Sequence, residues 1–138
     1  MQQERIPDFI IIDDDPFGNM LARRITELTL PGAGIKTFTD AELALGYILS
    51  GYSGNAANDA ILFLDINMPI LTGWDVLHRF DHFPDGVKKR VKIFMLSSSI
   101  SIEDKGRARG NPLVAGYITK PLTQANLEGL FPGFVKTA

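Results

Sequence analysis

The sequence contains no cysteine, and this absence removes several kinds of chemistry at once. Disulfide bonds, thiolate nucleophiles and cysteine-ligated metal sites are excluded. Long apolar runs are also missing, since the longest hold about five residues, against the ~20 of a membrane-spanning helix. No apolar segment follows the N-terminal residues 1–5 as a signal peptide requires. We therefore expect a cytoplasmic protein with no membrane partner.

A strong excess of charge of one sign is absent as well. The chain carries 14 basic and 16 acidic residues, which gives a formal net charge of −2 at pH 7. General affinity for nucleic acid requires a basic face, so we expect no nucleic-acid partner. The length of 138 residues suits one domain with a sizeable core. We expect residues 1–138 to form a single domain whose core spans about 8–131.

Five short apolar segments alternate with helical patterns along the chain. The predicted strands cover residues 9–12, 34–38, 60–65, 91–96 and 114–119. The predicted helices begin near Pro16, Thr39, Thr72, Ser101 and Thr123. Such alternation is typical of the α/β class, here a (βα)5 doubly wound parallel five-stranded sheet with helices on both faces.

Two finer predictions concern the helices. The first helix places its large apolar side chains on one face, which we expect to be buried: Phe17, Met20, Leu21, Ile25 and Leu28. The third helix is expected to be broken by residues 82–86.

Polar side chains follow four of the predicted strands. Asp13 and Asp14 follow the first strand, and Asp65 ends the third. Ser97 follows the fourth strand and Lys120 the fifth. Because parallel strands present their carboxyl ends at one edge of the sheet, where ligands bind in open α/β folds, we expect these side chains to converge.

The convergence of three carboxylates requires a cation, because like charges in one cleft repel each other. An oxygen-rich site of this kind suits Mg²⁺. Together with a lysine ammonium and a serine hydroxyl, the cation would form a clamp for a phosphoryl group. Since the chain has no glycine-rich phosphate loop, a side chain is the expected acceptor, and Asp65 is the best nucleophile.

Four motifs at these strand ends carry a resemblance to a known family. They are Ile12-Asp13-Asp14, residues 64–69 (Leu-Asp-Ile-Asn-Met-Pro), Met95-Leu96-Ser97 and residues 117–121 (Tyr-Ile-Thr-Lys-Pro). Each is weak alone, but four in order are specific. From about Phe9 to Phe131, the chain resembles a response-regulator receiver domain, the phosphoacceptor module of two-component signalling. The resemblance implies a flavodoxin-like strand order 2-1-3-4-5.

The resemblance also implies roles for the acidic residues. Asp65 matches the residue that takes the phosphoryl group as an acyl phosphate. Asp14 matches a direct Mg²⁺ ligand, and Asp13 a residue that acts on the metal through water. Asn67 matches the position whose backbone carbonyl completes the metal site.

Further roles concern the phosphoryl group and the switch. Ser97 matches the hydroxyl residue that moves to bind the phosphoryl group, and Lys120 matches the lysine that pairs with its oxygens. The Lys120–Pro121 bond resembles a cis peptide of the family. Tyr117 matches an aromatic switch, although a tyrosine on a strand is more often simply part of the core.

The function that the resemblance implies is that of a phosphoacceptor rather than a conventional enzyme. The phosphoryl donor would be a histidine kinase or a histidine phosphotransfer protein. Phosphorylation would alter the face formed by the predicted helix 101–109, strand 114–119 and helix 123–131. That face would bind an output protein, or the phosphoryl group would pass to the next carrier.

Other interpretations remain open. A small Mg²⁺-dependent phosphohydrolase would use a second carboxylate two residues after Asp65, where Asn67 stands. A degenerate receiver acting as a protein-binding scaffold is disfavoured by the intact acidic, serine and lysine positions. His78 and His82 are four residues apart on a helix and could bind a metal, but no third ligand is evident and we expect both to face solvent.

Overall fold

The computed structural model describes residues 6–54, 58–98 and 101–132. Five parallel strands form one sheet in the order β2-β1-β3-β4-β5, which confirms the predicted fold class and strand order. The strands are β1 (Asp8–Ile12), β2 (Ile35–Phe38), β3 (Ala60–Asp65), β4 (Val91–Ser97) and β5 (Val114–Thr119). The predicted absence of a signal peptide concerns residues 1–5, which lie outside the described part of the chain.

Six helices accompany these strands in the described residues, one more than predicted. They are α1 (Pro16–Thr29), α2 (Ala41–Gly51), α3 (Gly73–Asp81), α4 (Asp85–Lys88), α5 (Ile102–Arg109) and α6 (Gln124–Leu130). The predicted break of the third helix is confirmed, since α3 ends at Asp81, but the single turn of α4 that follows at Asp85–Lys88 was not predicted. Val87 of α4 is buried, and the backbone nitrogens of Val87 and Lys88 both donate hydrogen bonds to the carbonyl of Pro84.

The core lies on both faces of the sheet because β1 and β3 alternate their side chains between two layers. Ile10 of β1 pairs in register with Leu62 of β3, and both lie in the layer that α2 and α3 cover. Ile11 and Phe63 pair one residue further along and lie in the opposite layer, with α1 and α6. β3 is the middle strand of the five, and every one of its residues is buried.

The face that α1 turns towards the sheet differs from the predicted one. Its buried residues are small or polar: Asn19, Ala22, Thr26 and Thr29. The large apolar residues that we expected in the core are mostly exposed, namely Phe17 (60%), Met20 (55%), Leu21 (45%) and Leu28 (62%). The helix lies close to the end of β1, since a Cβ atom on Gly18 would be 2.5 Å from Asp13 Oδ2. That approach favours small residues on the inner face, so the prediction of a buried apolar face was wrong.

Among the helices of the described ranges, none combines the length and the apolar character that crossing a bilayer requires.

Candidate functional site

The register of the sheet brings the predicted site residues to one edge. Ile12 pairs with Leu64, so Asp13 and Asp65 occupy equivalent places at the ends of neighbouring strands. Asp65 in turn pairs with Leu96 on β4, immediately before Ser97. The site therefore follows from strand order and register, as expected for an open parallel sheet.

Three carboxylates converge at this edge. Asp13, Asp14 and Asp65 each offer an oxygen, and these oxygens lie within 4.8 Å of one another. Asp13 and Asp65 are buried, with exposed fractions of 2% and 4%, whereas Asp14 is exposed. The cluster thus has two buried members and one that faces solvent.

Lys120 reaches this cluster from the loop after β5. Its Nζ donates a hydrogen bond to Asp13 Oδ2 at 2.7 Å and lies 3.4 Å from Asp65 Oδ1. The Lys120–Pro121 peptide bond is cis, as the resemblance implies. The backbone nitrogen of Lys120 also donates to the carbonyl of Ser97 at 2.7 Å, which fixes the loop against the end of β4. One ammonium group therefore bridges two of the three acids.

The ionisation of the cluster reflects burial as well as charge. Burial raises the pKa of Asp65 to about 6, the positive charge of Lys120 opposes that rise, and the negative charge of Asp13 adds to it. Burial alone would lower the pKa of Lys120, but its hydrogen bond to Asp13 and the two carboxylate charges outweigh it, so the pKa of Lys120 is raised. Lys120 is therefore protonated at neutral pH, and most Asp65 side chains are ionised.

The donor set fits a hard divalent cation. Three carboxylates and one ammonium leave two formal negative charges, which one Mg²⁺ would balance. All three offered atoms are oxygens, the ligands that Mg²⁺ prefers, and the exposed Asp14 leaves room for the waters that it retains. Asn67 is exposed beside the cluster and its backbone nitrogen donates to Asp65 Oδ1 at 3.3 Å. The assignment of its carbonyl as a ligand stays a prediction.

The two remaining predicted residues lie on β4 and β5. Ser97 is fully buried at the end of β4. Tyr117 is half-buried on β5, and Lys105 Nζ of α5 lies 5.9 Å from the centre of its ring. Their roles in phosphoryl binding and switching stay predictions.

Sequence reasoning missed two residues that shape the site. Asn19, buried on α1, donates from Nδ2 to the backbone carbonyl of Asp13 at 3.0 Å. Gly73 lets the start of α3 approach the end of β3, since a Cβ atom there would lie 2.7 Å from the carbonyl oxygen of Asp65. Neither residue belongs to a recognisable sequence motif. The only signal in the sequence is that the polar Asn19 and the small Gly73 stand at helix positions where surface residues are common.

The histidine pair does not form a comparable site. His78 and His82 are both exposed on one side of α3, with ring centres 5.1 Å apart. Within the described residues, the acidic cluster is the only group of three or more candidate metal ligands. The pair therefore has no third side-chain ligand there.

A known family model covers most of the chain. The family model described as the response regulator receiver domain matches residues 9–131. A search of curated proteins gives no match.

Solved structures of similar fold span nearly the whole chain. A response regulator receiver protein from Dyadobacter fermentans is 27% identical, with a TM-score of 0.83, over 95% of this chain and 100% of that one. A two-component response regulator from Cytophaga hutchinsonii is 29% identical, with a TM-score of 0.83, over 94% of this chain and 96% of that one. A receiver domain protein from Methanospirillum hungatei, 24% identical with a TM-score of 0.67 over 94% of each chain, shows the same fold.

Proposed function

The chain belongs to the response regulator receiver domain family, and on that premise we propose that it takes a phosphoryl group onto Asp65 in the presence of Mg²⁺. The observation that carries the proposal is the bridge that Lys120 makes between Asp13 and Asp65, beside the exposed Asp14. The bridge places the ammonium group of Lys120 next to the proposed acceptor oxygen, where the negative charge of a phosphoryl group would develop.

The proposed transfer is a displacement at phosphorus. An oxygen of ionised Asp65 attacks the phosphorus of a phosphohistidine on a kinase or phosphotransfer protein. The new O–P bond forms as the P–N bond breaks, and the departing imidazole takes a proton from solvent. Asp65 is suited to this role because its pKa of about 6 leaves it mostly ionised at neutral pH.

The other residues of the cluster prepare the site for the incoming charge. Mg²⁺, held by Asp14, Asp65 and the carbonyl of Asn67 with Asp13 acting through water, would neutralise charge on the transferring group. Lys120, already 3.4 Å from Asp65 Oδ1, would pair with a phosphoryl oxygen. The same residues that hold the acids together would therefore receive the product.

The output step follows from the added charge. Ser97 would donate its hydroxyl to the phosphoryl group, and the half-buried Tyr117 on β5 would turn inward as the end of β4 moves. The face formed by α5, β5 and α6 would then shift between two arrangements and change its affinity for an output protein. In this scheme the domain is a cytoplasmic switch or carrier, modified at one residue, rather than a conventional enzyme.

Intact-mass spectrometry after incubation with acetyl phosphate tests the proposal. We expect one added phosphoryl group when Mg²⁺ is present, and none when the metal is chelated. Asp65→Asn should abolish the addition. Asp85→Asn should leave it unchanged, because Asp85 lies on α4 with 87% of its side chain exposed.

Two results would contradict the proposal. One is a folded wild-type protein that gains no phosphoryl group from either acetyl phosphate or a phosphorylated histidine phosphotransfer domain. The other is addition that persists in Asp65→Asn, which would place the acceptor elsewhere.

A further inference from the structure

The buried side chain of Asn19 links the ends of two strands beside the acidic cluster. Asn19 lies in the first turn of α1 and is 4% exposed. Its Nδ2 donates two hydrogen bonds, to the carbonyl oxygens of Asp13 and Phe38, each at 3.0 Å. These carbonyls immediately follow β1 and end β2, respectively.

The chemistry of these contacts fixes which way the amide faces. Carbonyl oxygens only accept hydrogen bonds, so the amide nitrogen, not the oxygen, must face Asp13 and Phe38. The Oδ1 atom of Asn19 is then buried and has no hydrogen-bond partner among the described residues. A buried acceptor without a partner is unfavourable, so an asparagine at this position is explained by its two donors rather than by packing.

Those donors act on the peptide that joins the two acids. The carbonyl of Asp13 belongs to the peptide group between Asp13 and Asp14, so holding it fixes the plane from which Asp14 extends. The backbone nitrogen of Asp13 donates to the same Phe38 carbonyl at 3.1 Å. Both polar groups of the Asp13 backbone are thus tied to the end of β2, one directly and one through Asn19.

We propose that Asn19 is a positioning residue of the acidic site, which holds the Asp13–Asp14 peptide so that both carboxylates face one cation. This inference rests on the proposed function, since the cation is the Mg²⁺ proposed above. The two hydrogen bonds of the Asn19 side chain go to backbone carbonyls rather than to a carboxylate, so its proposed action on the site runs through the backbone of Asp13. Side chains that orient metal ligands typically change metal affinity 10- to 100-fold when they are removed.

Calorimetric titration of the metal-free protein with Mg²⁺ tests the proposal. We expect Asn19→Ala to weaken Mg²⁺ binding by about 10-fold or more. Asn19→Ser retains at most one donor and should lie between Asn19→Ala and the wild type; it also serves if the alanine variant does not fold. Ala22→Gly is the matched control, because Ala22 is a buried residue of the same helix that packs in the hydrophobic core.

A purely structural role predicts a different pattern. Asn19→Ala and Ala22→Gly would then both lower the unfolding temperature while the folded protein of each bound Mg²⁺ like the wild type, and that result would overturn the proposal. Backbone NMR of the metal-free protein gives a second readout. We expect the Asp13 and Asp14 amide resonances to shift, and exchange of the Asp13 amide proton to accelerate, in Asn19→Ala but not in Ala22→Gly.

The proposed function and the positioning role of Asn19 are tested by separate measurements. A wild-type protein that binds no Mg²⁺ contradicts the proposed function. The NMR comparison still decides the positioning role in that case, since unchanged Asp13 and Asp14 resonances in Asn19→Ala would refute it without reference to the metal.

Discussion

Replacement of Asp65 by asparagine separates the charge of the proposed acceptor from its shape. Asp65 is 4% exposed, and burial raises its pKa from 3.8 to about 6. Because the folded protein binds this proton more tightly than the unfolded chain does, protonation of Asp65 stabilises the fold. The stabilisation is fully present below about pH 4 and is lost as the pH rises through about 6.

The size of the effect follows from the pKa. One pKa unit corresponds to about 1.4 kcal/mol, so a rise from 3.8 to about 6 is equivalent to about 3 kcal/mol. Asp65→Asn removes the titration, and it also removes a partner of Lys120, which keeps its 2.7 Å contact with Asp13. We therefore expect the free energy of unfolding of the variant, relative to the wild type, to increase by up to about 3 kcal/mol between pH 4 and pH 8.

Urea denaturation in chelator-containing buffer at a series of pH values measures this difference. Asp85→Asn, with its largely exposed side chain, provides the control and should track the wild type across the range. A difference between Asp65→Asn and the wild type that is flat with pH, or that falls as the pH rises, would refute the account of Asp65 as a destabilised buried carboxylate.

Three further predictions concern the metal, α1 and the core. Saturation with Mg²⁺ to about 100 times its dissociation constant should raise the wild-type free energy of unfolding by about 2.7 kcal/mol, measured by urea denaturation; no change would contradict the metal site. Gly18→Ala should lower the free energy of unfolding by about 1–3 kcal/mol and weaken Mg²⁺ binding, because its Cβ would lie 2.5 Å from Asp13 Oδ2. Gly46→Ala on α2 is the control, since its Cβ meets open space and should not destabilise the protein. Thermal unfolding should show that Leu28→Ser, at a 62% exposed position, changes stability by less than about 0.5 kcal/mol. Phe63→Ala in the core should cost about 3–5 kcal/mol. A loss of stability in Leu28→Ser as large as that in Phe63→Ala would contradict the described orientation of α1.

The sheet and the central acid were predictable because their signals are local. β3 is a continuous apolar run that ends on a carboxylate, and all of its residues are buried. The strand order came from the resemblance, since periodicity alone does not distinguish one doubly wound order from another. Once the order is known, Asp13, Asp65 and Lys120 must meet at one edge of the sheet.

The orientation of α1 was not predictable from hydrophobicity. The helix packs through a small residue such as Ala22 and polar ones such as Thr26, whose Oγ1 donates to the Ala22 carbonyl at 2.8 Å. A hydroxyl that satisfies itself on its own helix can be buried at little cost, and this is invisible in a pattern that counts apolar side chains. The role of Asn19 was not predictable either, because its two carbonyl partners, which follow β1 and end β2, are brought together only by folding.

Chemical trapping of the phosphorylated residue would identify the phosphoryl acceptor directly. Borohydride reduces an acyl phosphate to an alcohol, which converts a phosphorylated aspartate into homoserine and marks its position. After incubation with acetyl phosphate and Mg²⁺, reduction and fragment sequencing by mass spectrometry, we expect homoserine at position 65 and at no other aspartate. Homoserine at Asp13 or Asp14, or none in a protein that has gained a phosphoryl group, would contradict the assignment of Asp65 as the acceptor.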